Sequence, residues 1–369
     1  MCGVNEDVLK QYAGEFKQSS YRSNLNQSLF HFFKFLGFAV VFFGVQGVLL
    51  SANLNPWIYG SLALIVAFFH GLTYMSLWMV GHDCGHGSFS ANKKLNRMVG
   101  SVSTAFMLMN YENFRRSHNR HHSYIGNIEK DEAFGPKAKR KNFGFQRLVR
   151  CIVLLPFFAY AYAIFFPSLT KTPGYVNYFW PDKTKDSLKA FIPVAAHIAL
   201  LIGLFYWMPF SYVLFVGIIP ILVAWSFFLM TTFLNHTGEN TEWYPDDIWS
   251  YEKGVFNTVN VSYGPVIDYF LIGLGKDHFA HHINPRIPHY KLQEATNYIG
   301  QSHPNNRMVK GNFFKFVYYY YKYSFKRILK GYFTNHQQPF SYKQAQSLDT
   351  AKVDDLLHSS ASADATASS

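Results

Sequence analysis

Four nearly unbroken apolar runs, at about 35–54, 57–80, 190–208 and 209–234, are each long enough to cross about 30 Å of hydrocarbon at about 1.5 Å per residue. They pair into two hairpins whose turns, at Asn55-Pro56 and Met208-Pro209, contain no Lys or Arg. Every Lys and Arg falls within 1–34, 81–189 or beyond 234. An excess of Lys and Arg marks the cytoplasmic side of a membrane, so all three basic stretches are predicted to lie there. The pattern predicts an all-α polytopic membrane protein with four transmembrane helices in two hairpins. A fifth apolar run, 151–169, contains Pro156 and Pro167. If it crossed, the basic stretch 286–330 would change sides, so it is read as an in-plane helix. The shorter patch 99–109 is read as interfacial. The expected organisation is a cytoplasmic N-terminal segment (1–34), a membrane domain (35–311), a basic aromatic interfacial helix (312–333) and a disordered polar tail (340–369).

Composition sharpens this picture. Only 15% of the 369 residues are charged while 49% are hydrophobic and 19% aromatic, which excludes a soluble, collagenous or wholly disordered chain. The net charge of +12 could point to nucleic acid. However, Lys315, Lys322, Lys326 and Lys330 share one side of an aromatic helix, and beside four spans that arrangement suits anionic membrane lipids, with no nucleic acid expected. Cys2, Cys84 and Cys151 are too few and too scattered for a disulfide framework. The first 29 residues carry acids and no continuous apolar core, which argues against a secretory signal or a transit peptide.

The candidate chemistry lies in histidine. Eight of the 16 histidines fall into three boxes: His82 and His86; His118, His121 and His122; His278, His281 and His282. Offsets of three and four return to one side of a helix, so each box is expected to present its imidazoles together. Two boxes share the spacing H-x-x-H-H, and such density has little purpose without a metal. The predicted topology brings all three to one cytoplasmic cap, and His236, just past the fourth span, is a ninth candidate. Nine neutral nitrogens exceed one tetrahedral zinc and suit two metals. Asp83, Glu129, Asp131, Glu132 and Asp277 lie close enough in sequence to support the ligating rings. His70 and His197, inside spans, are read as hydrogen-bonded packing residues, and His289 as fixing a loop. His31, His303, His336 and His358 are assigned nothing. Trp57, Trp78 and Trp207 are read as interfacial anchors. No separate acid or base and no substrate-binding residue is assigned.

The segments HDCGHGSFS (82–90), SHNRHHSYIGNIEKDEAFGPK (117–137), FLNHT (233–237) and HFAHHINPRIPHYKLQEAT (278–296) resemble the membrane fatty acid desaturases, within them the methyl-end (Δ12 and ω3) group. The resemblance runs from about residue 75 to 300. It implies two iron ions held by His82, His86, His118, His121, His122, His236, His278, His281 and His282, with O2 as co-substrate. Some relatives outside the methyl-end group place an Asn ligand where Thr232 stands here. The fused haem domain of front-end relatives, with its His-Pro-Gly-Gly motif, is absent, so the resemblance implies a separate electron donor of cytochrome b5 type. It further implies a fatty acyl lipid substrate and an endoplasmic reticulum location with the active site facing the cytoplasm. Breaking an unactivated C–H bond needs redox chemistry that zinc lacks. The expected product is linoleate from oleate. The alternatives are an ω3 desaturase, a di-iron fatty acyl hydroxylase, a zinc-dependent membrane hydrolase and, last, a haem carrier.

Overall fold

The computed structural model describes residues 6–17, 21–131, 177–237, 241–302, 308–311, 314–320 and 340–341. The expectations for 151–169, Glu132, His303, His336, His358 and the tail beyond 341 fall outside these residues. Among them, four helices are long and apolar enough to cross a membrane, and the other described elements are mostly helices.

Helix α1 (Glu6–Glu15) precedes the first long helix, α2 (Leu25–Ser51). Asn24 starts α2 by accepting the backbone N–H groups of Asn26 and Gln27 at 3.0 and 3.2 Å. The cap lies in polar sequence, so the helix begins at Leu25 rather than at the start of the apolar run. Helix α3 (Pro56–His86) opens with Asn55 as cap and proline in its first turn, and ends at Gly87 in the left-handed conformation, φ 73°. Its 31 residues extend about 46 Å, well beyond the hydrocarbon thickness. The first histidine box rides on this overshoot.

Helices α4 (Lys93–Ala105) and α5 (Tyr111–Ser123) follow, capped by Asn92 and Asn110. The second hairpin consists of α6 (Lys185–Trp207) and α7 (Phe210–His236). Helix α7 has a π-turn at Leu214–Ile218, just before Pro220, whose missing N–H interrupts the regular ladder. After it come α8 (Tyr251–Phe256), α9 (Pro265–Leu271), α10 (His278–Ile283), α11 (His289–Ser302) and a helix over 314–320, α12. Two minimal sheets pin the loops: β1 (Glu242–Trp243) antiparallel to β4 (Phe340–Ser341), and β2 (Asn260–Ser262) parallel to β3 (Met308–Lys310).

Helix α3 is the axis of the molecule, packing against α2, α4 and α7. It is buried almost continuously from His70 to Cys84, whereas α2 and α6 are mostly exposed along apolar faces suited to lipid. Polar contacts join the spans: Gln46 Nε2 donates to the Ala63 carbonyl at 2.8 Å, joining α2 to α3, and the Tyr212 hydroxyl donates to the Phe43 carbonyl at 3.2 Å, joining α7 to α2. The patch 99–109 is built into the protein. Val99, Ala105, Met107, Leu108 and Met109 are all buried in the main core, because the amphipathic α4 turns its apolar side to α3 and α6. In α12, Phe316 and Tyr320 are buried while Phe314 and Tyr318 are exposed.

Gly100 brings α4 close against the start of α5, since a Cβ there would overlap the Tyr111 ring. Gly100→Ala is expected to lower stability by about 1–3 kcal/mol through overpacking. Gly37→Ala, on an open face of α2, should be neutral or stabilising by up to about 1 kcal/mol. Thermal unfolding in detergent checks both.

Candidate metal centre

The second box depends on how α5 is held. Asn113 Nδ2 donates to the carbonyls of Asn177 and Trp180, both at 2.8 Å, and Ser187 Oγ donates to Asn113 Oδ1 at 2.8 Å. Buried Glu112 takes two hydrogen bonds through Oε2 from Arg115, at 3.0 and 2.8 Å, and lies 3.3 Å from Arg97 Nε. Arg116 pairs with Asp182. These bonds tie α5 to α4 and to the start of α6.

The third box is fixed from below by Asn260, whose Oδ1 accepts the Phe279 N–H at 2.8 Å, and by the Tyr251 hydroxyl on the His282 carbonyl at 2.7 Å. From above, Tyr12, Phe16 and Tyr21 of the N-terminal segment pack in one cluster with Phe279, Ile283 and Ile287. Asn235 closes the arrangement. Its Nδ2 donates to the Val259 and Gly275 carbonyls at 2.6 and 2.9 Å, fastening the end of α7 to the loop that leads into α10. Asn235 was missed in the sequence, although its place beside His236 was the available signal.

All nine candidate histidines converge, in two groups. His82, His86, His118, His122 and His281 can each offer a nitrogen within 4.8 Å of the others, and so can His121, His236 and His282. His278 joins the second group, with its Nε2 at 2.9 Å from that of His236 and 3.0 Å from that of His282. The groups adjoin, with the His122 and His282 rings stacked 4.2 Å apart. The boxes therefore do not each present their imidazoles together. Members four residues apart stay in one group, while His121 and His281 cross to the other, because neighbours on a helix are turned about 100° from one another.

The protons on two rings can be assigned from their partners. His121 Nδ1 is 2.8 Å from Asp131 Oδ1, and His278 Nδ1 is 3.1 Å from the Leu274 carbonyl. Both partners only accept, so each Nδ1 carries hydrogen and each Nε2 is a bare lone pair. Both lone pairs face His236 Nε2, at 3.1 and 2.9 Å. A single proton there can satisfy only one of them. In the first group, His82 Nδ1 and Nε2, His86 Nε2 and His122 Nδ1 are buried without partners, as is His282 Nδ1 in the second. At about 1–3 kcal/mol for each unpaired buried group, five such atoms would cancel a typical folding stability of about 5–15 kcal/mol. A cation bound through Nε2 would relieve those of His82 and His86, the two unpartnered Nε2 atoms among the five.

Burial, and then the neighbouring imidazoles, hold His118, His122, His281 and His282 well below the ordinary imidazole value and His278 at about 3. All five are therefore neutral at pH 7.

The acidic candidates divide. Asp131 supports His121 directly and is itself held by the Gly126 N–H at 3.1 Å. Asp83 binds His289 and lies 3.8 Å from His82 Nδ1. Asp277 is buried beneath α10, where burial pushes its carboxyl up to about 6, and among the described residues it bonds no box imidazole. Glu129 is exposed on the turn after α5. The Thr232 hydroxyl turns back to the Phe228 carbonyl at 2.5 Å. His197 Nδ1 donates to the Ala105 carbonyl at 2.9 Å, as a packing residue should, whereas His70 Nδ1 is buried against Tyr74 without a hydrogen bond. On the membrane side, Trp78 and Phe114 wall the cluster, their rings 5.5 Å from His82 and 5.1 Å from His118.

Residues 55–311 match the family model described as fatty acid desaturase, a stretch that includes all nine histidines and three of the four long apolar helices. Among curated proteins, the sn-1 acyl-lipid omega-3 desaturase (ferredoxin) of Synechocystis is 31% identical over 299 residues, 78% of this chain and 79% of the relative. The chloroplastic omega-3 fatty acid desaturase of Glycine max is 34% identical over 67% of this chain, which spans only 55% of that relative. The endoplasmic reticulum omega-3 fatty acid desaturase of Vigna radiata is 33% identical over 61% of each chain. With the boxes, the spans and the buried imidazole cluster all inside the matched stretch, the chain belongs to the membrane fatty acid desaturase family.

Proposed function

We propose that this chain inserts a cis double bond into the acyl chain of a lipid, with two iron ions at its histidine cluster. The convergence of nine imidazoles, seven of them buried, in two adjoining groups carries the reading. His82, His86, His118, His122 and His281 would hold one iron, and His121, His236, His278 and His282 the other. Bound iron supplies the redox chemistry that couples O2 to C–H cleavage, which zinc lacks. The reaction balances as –CH2–CH2– + O2 + 2 e⁻ + 2 H⁺ → –CH=CH– + 2 H2O. The chain's own residues do the rest. Asp131 and the Leu274 carbonyl keep protons on Nδ1 of His121 and His278, so that Nε2 stays free to bind. Trp78 and Phe114 present an apolar wall against which a methylene chain can lie and from which water is excluded.

The Lys and Arg distribution supports a cytoplasmic active site, and a location in the endoplasmic reticulum agrees with the Vigna radiata relative. Electrons then come from a separate carrier of cytochrome b5 type, attracted to a chain of net charge +12. Four of the relatives have names that print a donor, and all four print ferredoxin, so either carrier is a fair comparison in reconstitution. The sequence ranks oleate to linoleate first and the ω3 position second. The relatives' names reverse that order, and the product proposed here is an ω3 double bond added to a diene.

Replacing His82 or His121 with Ala is expected to reduce turnover below about 1% of wild type while the protein still accumulates in membranes. Each replacement should also lower the iron content from two per chain towards one, because each strips a different group. Metal analysis of the purified proteins beside the turnover assay checks this.

Lipid analysis of yeast expressing the chain tests the position of the new bond. Feeding linoleate should yield a triene with the new bond at ω3. A Δ9,Δ12 diene formed without feeding would move the assignment to Δ12, and a hydroxy acid as sole product would make the chain a hydroxylase.

A further inference from the structure

One buried contact at the cluster is not used by the chemistry above. Asp83 follows His82 on α3, and its side chain is 4% exposed. Its Oδ2 accepts two hydrogen bonds from a single residue, His289: one from Nδ1–H at 2.8 Å and one from the backbone N–H at 3.0 Å. Oδ1, the other oxygen, lies 3.8 Å from His82 Nδ1. His289 is buried and opens α11, so the contact joins two segments separated by 206 positions in sequence. The His31 ring of α2 meets the His289 ring edge-on at 4.6 Å and limits its rotation.

The two imidazole groups differ in how their rings are oriented. In the four-membered group, His121 and His278 are each held through Nδ1 by a buried acceptor. In the five-membered group, His82 has neither nitrogen in a hydrogen bond, and the Asp83 carboxylate is the charged group beside its Nδ1. At 3.8 Å Asp83 Oδ1 makes no hydrogen bond to His82 Nδ1, so its hold on the tautomer and orientation of that ring is electrostatic, and it acts only if the carboxylate is itself immobile. The pincer from His289 provides that immobility, since two donors on one oxygen leave Asp83 no alternative rotamer that keeps both bonds.

Resting on the di-metal reading above, we propose that His289 is a positioning residue for the five-histidine group: it locks Asp83, and Asp83 aims His82 Nε2 at the metal. The rival account is that His289 merely docks α11. Tyr290 separates the two accounts. Its hydroxyl accepts the Asn24 N–H at 2.8 Å and lies 3.2 Å from Ser28 Oγ, docking the same helix on α2 without touching Asp83.

The test uses the purified full-length protein loaded with iron, the metal retained after a timed chelator challenge, and kcat and KM. Wild type should retain two irons per chain. His289→Ala should lose one of them, with kcat lowered about 10–100-fold and KM within about twofold of wild type. His289→Asn, whose amide N–H can stand where Nδ1–H stood, should recover most of the lost iron, and Tyr290→Phe should keep both. The proposal is overturned if His289→Ala keeps two irons and its turnover, or if Tyr290→Phe loses iron equally. It is also overturned if both His289 variants fail to fold, which would make the residue structural. A wild-type protein that never holds two metals would overturn the di-metal reading itself, an outcome distinct from these.

Discussion

The structure turns on the mutual exclusion of imidazole lone pairs in a dry site. His121 and His278 both have their protons drawn to Nδ1, and both aim bare Nε2 atoms at His236. Neutral rings at 3 Å with lone pairs opposed repel, and burial removes the water that would otherwise separate them. The arrangement is stable when positive charge sits among the rings. On the di-metal reading, folding and metal binding would be coupled, because the surroundings that bury the cluster also leave several of its nitrogens without other partners.

Much of the remaining architecture delivers rings to that place. Helix α3 extends past the apolar layer so that its last turns carry His82 and His86, and α7 ends at the same depth with His236. The second and third boxes sit on short helices whose own hydrophobic burial is modest. Directional bonds set their position instead: Asn113 and Glu112 for α5, Asn260, Tyr251 and Asn235 for the approach to α10. Hydrophobic burial of α2 and α6 against the rest is slight, which suits helices whose outer faces meet lipid.

The sequence made the spans and the boxes readable, because hydropathy over about 20 residues and repeated His spacing are local signals. It did not reveal where the helices begin and end, since Asn24 and Gly87 set those points outside the apolar runs. The split into five and four rings was legible in principle. Residues four apart project within about 40° of each other, whereas His121 and His122 differ by about 100°, and treating offsets of three and four as equivalent hid this. The supporting carboxylates were not legible. Glu129 and Asp131 are two residues apart, yet Glu129 is exposed while Asp131 is buried against the His121 ring and held by the Gly126 N–H. The bond between Asp83 and His289 spans most of the chain and leaves no local trace.

The central claim is that two metals share nine histidines in a fixed division. Anomalous diffraction at the iron edge from crystals of the iron-loaded protein tests it most directly. The account predicts two peaks, one enclosed by His82, His86, His118, His122 and His281 and the other by His121, His236, His278 and His282. A single peak, or a signal that appears only at the zinc edge, would contradict it.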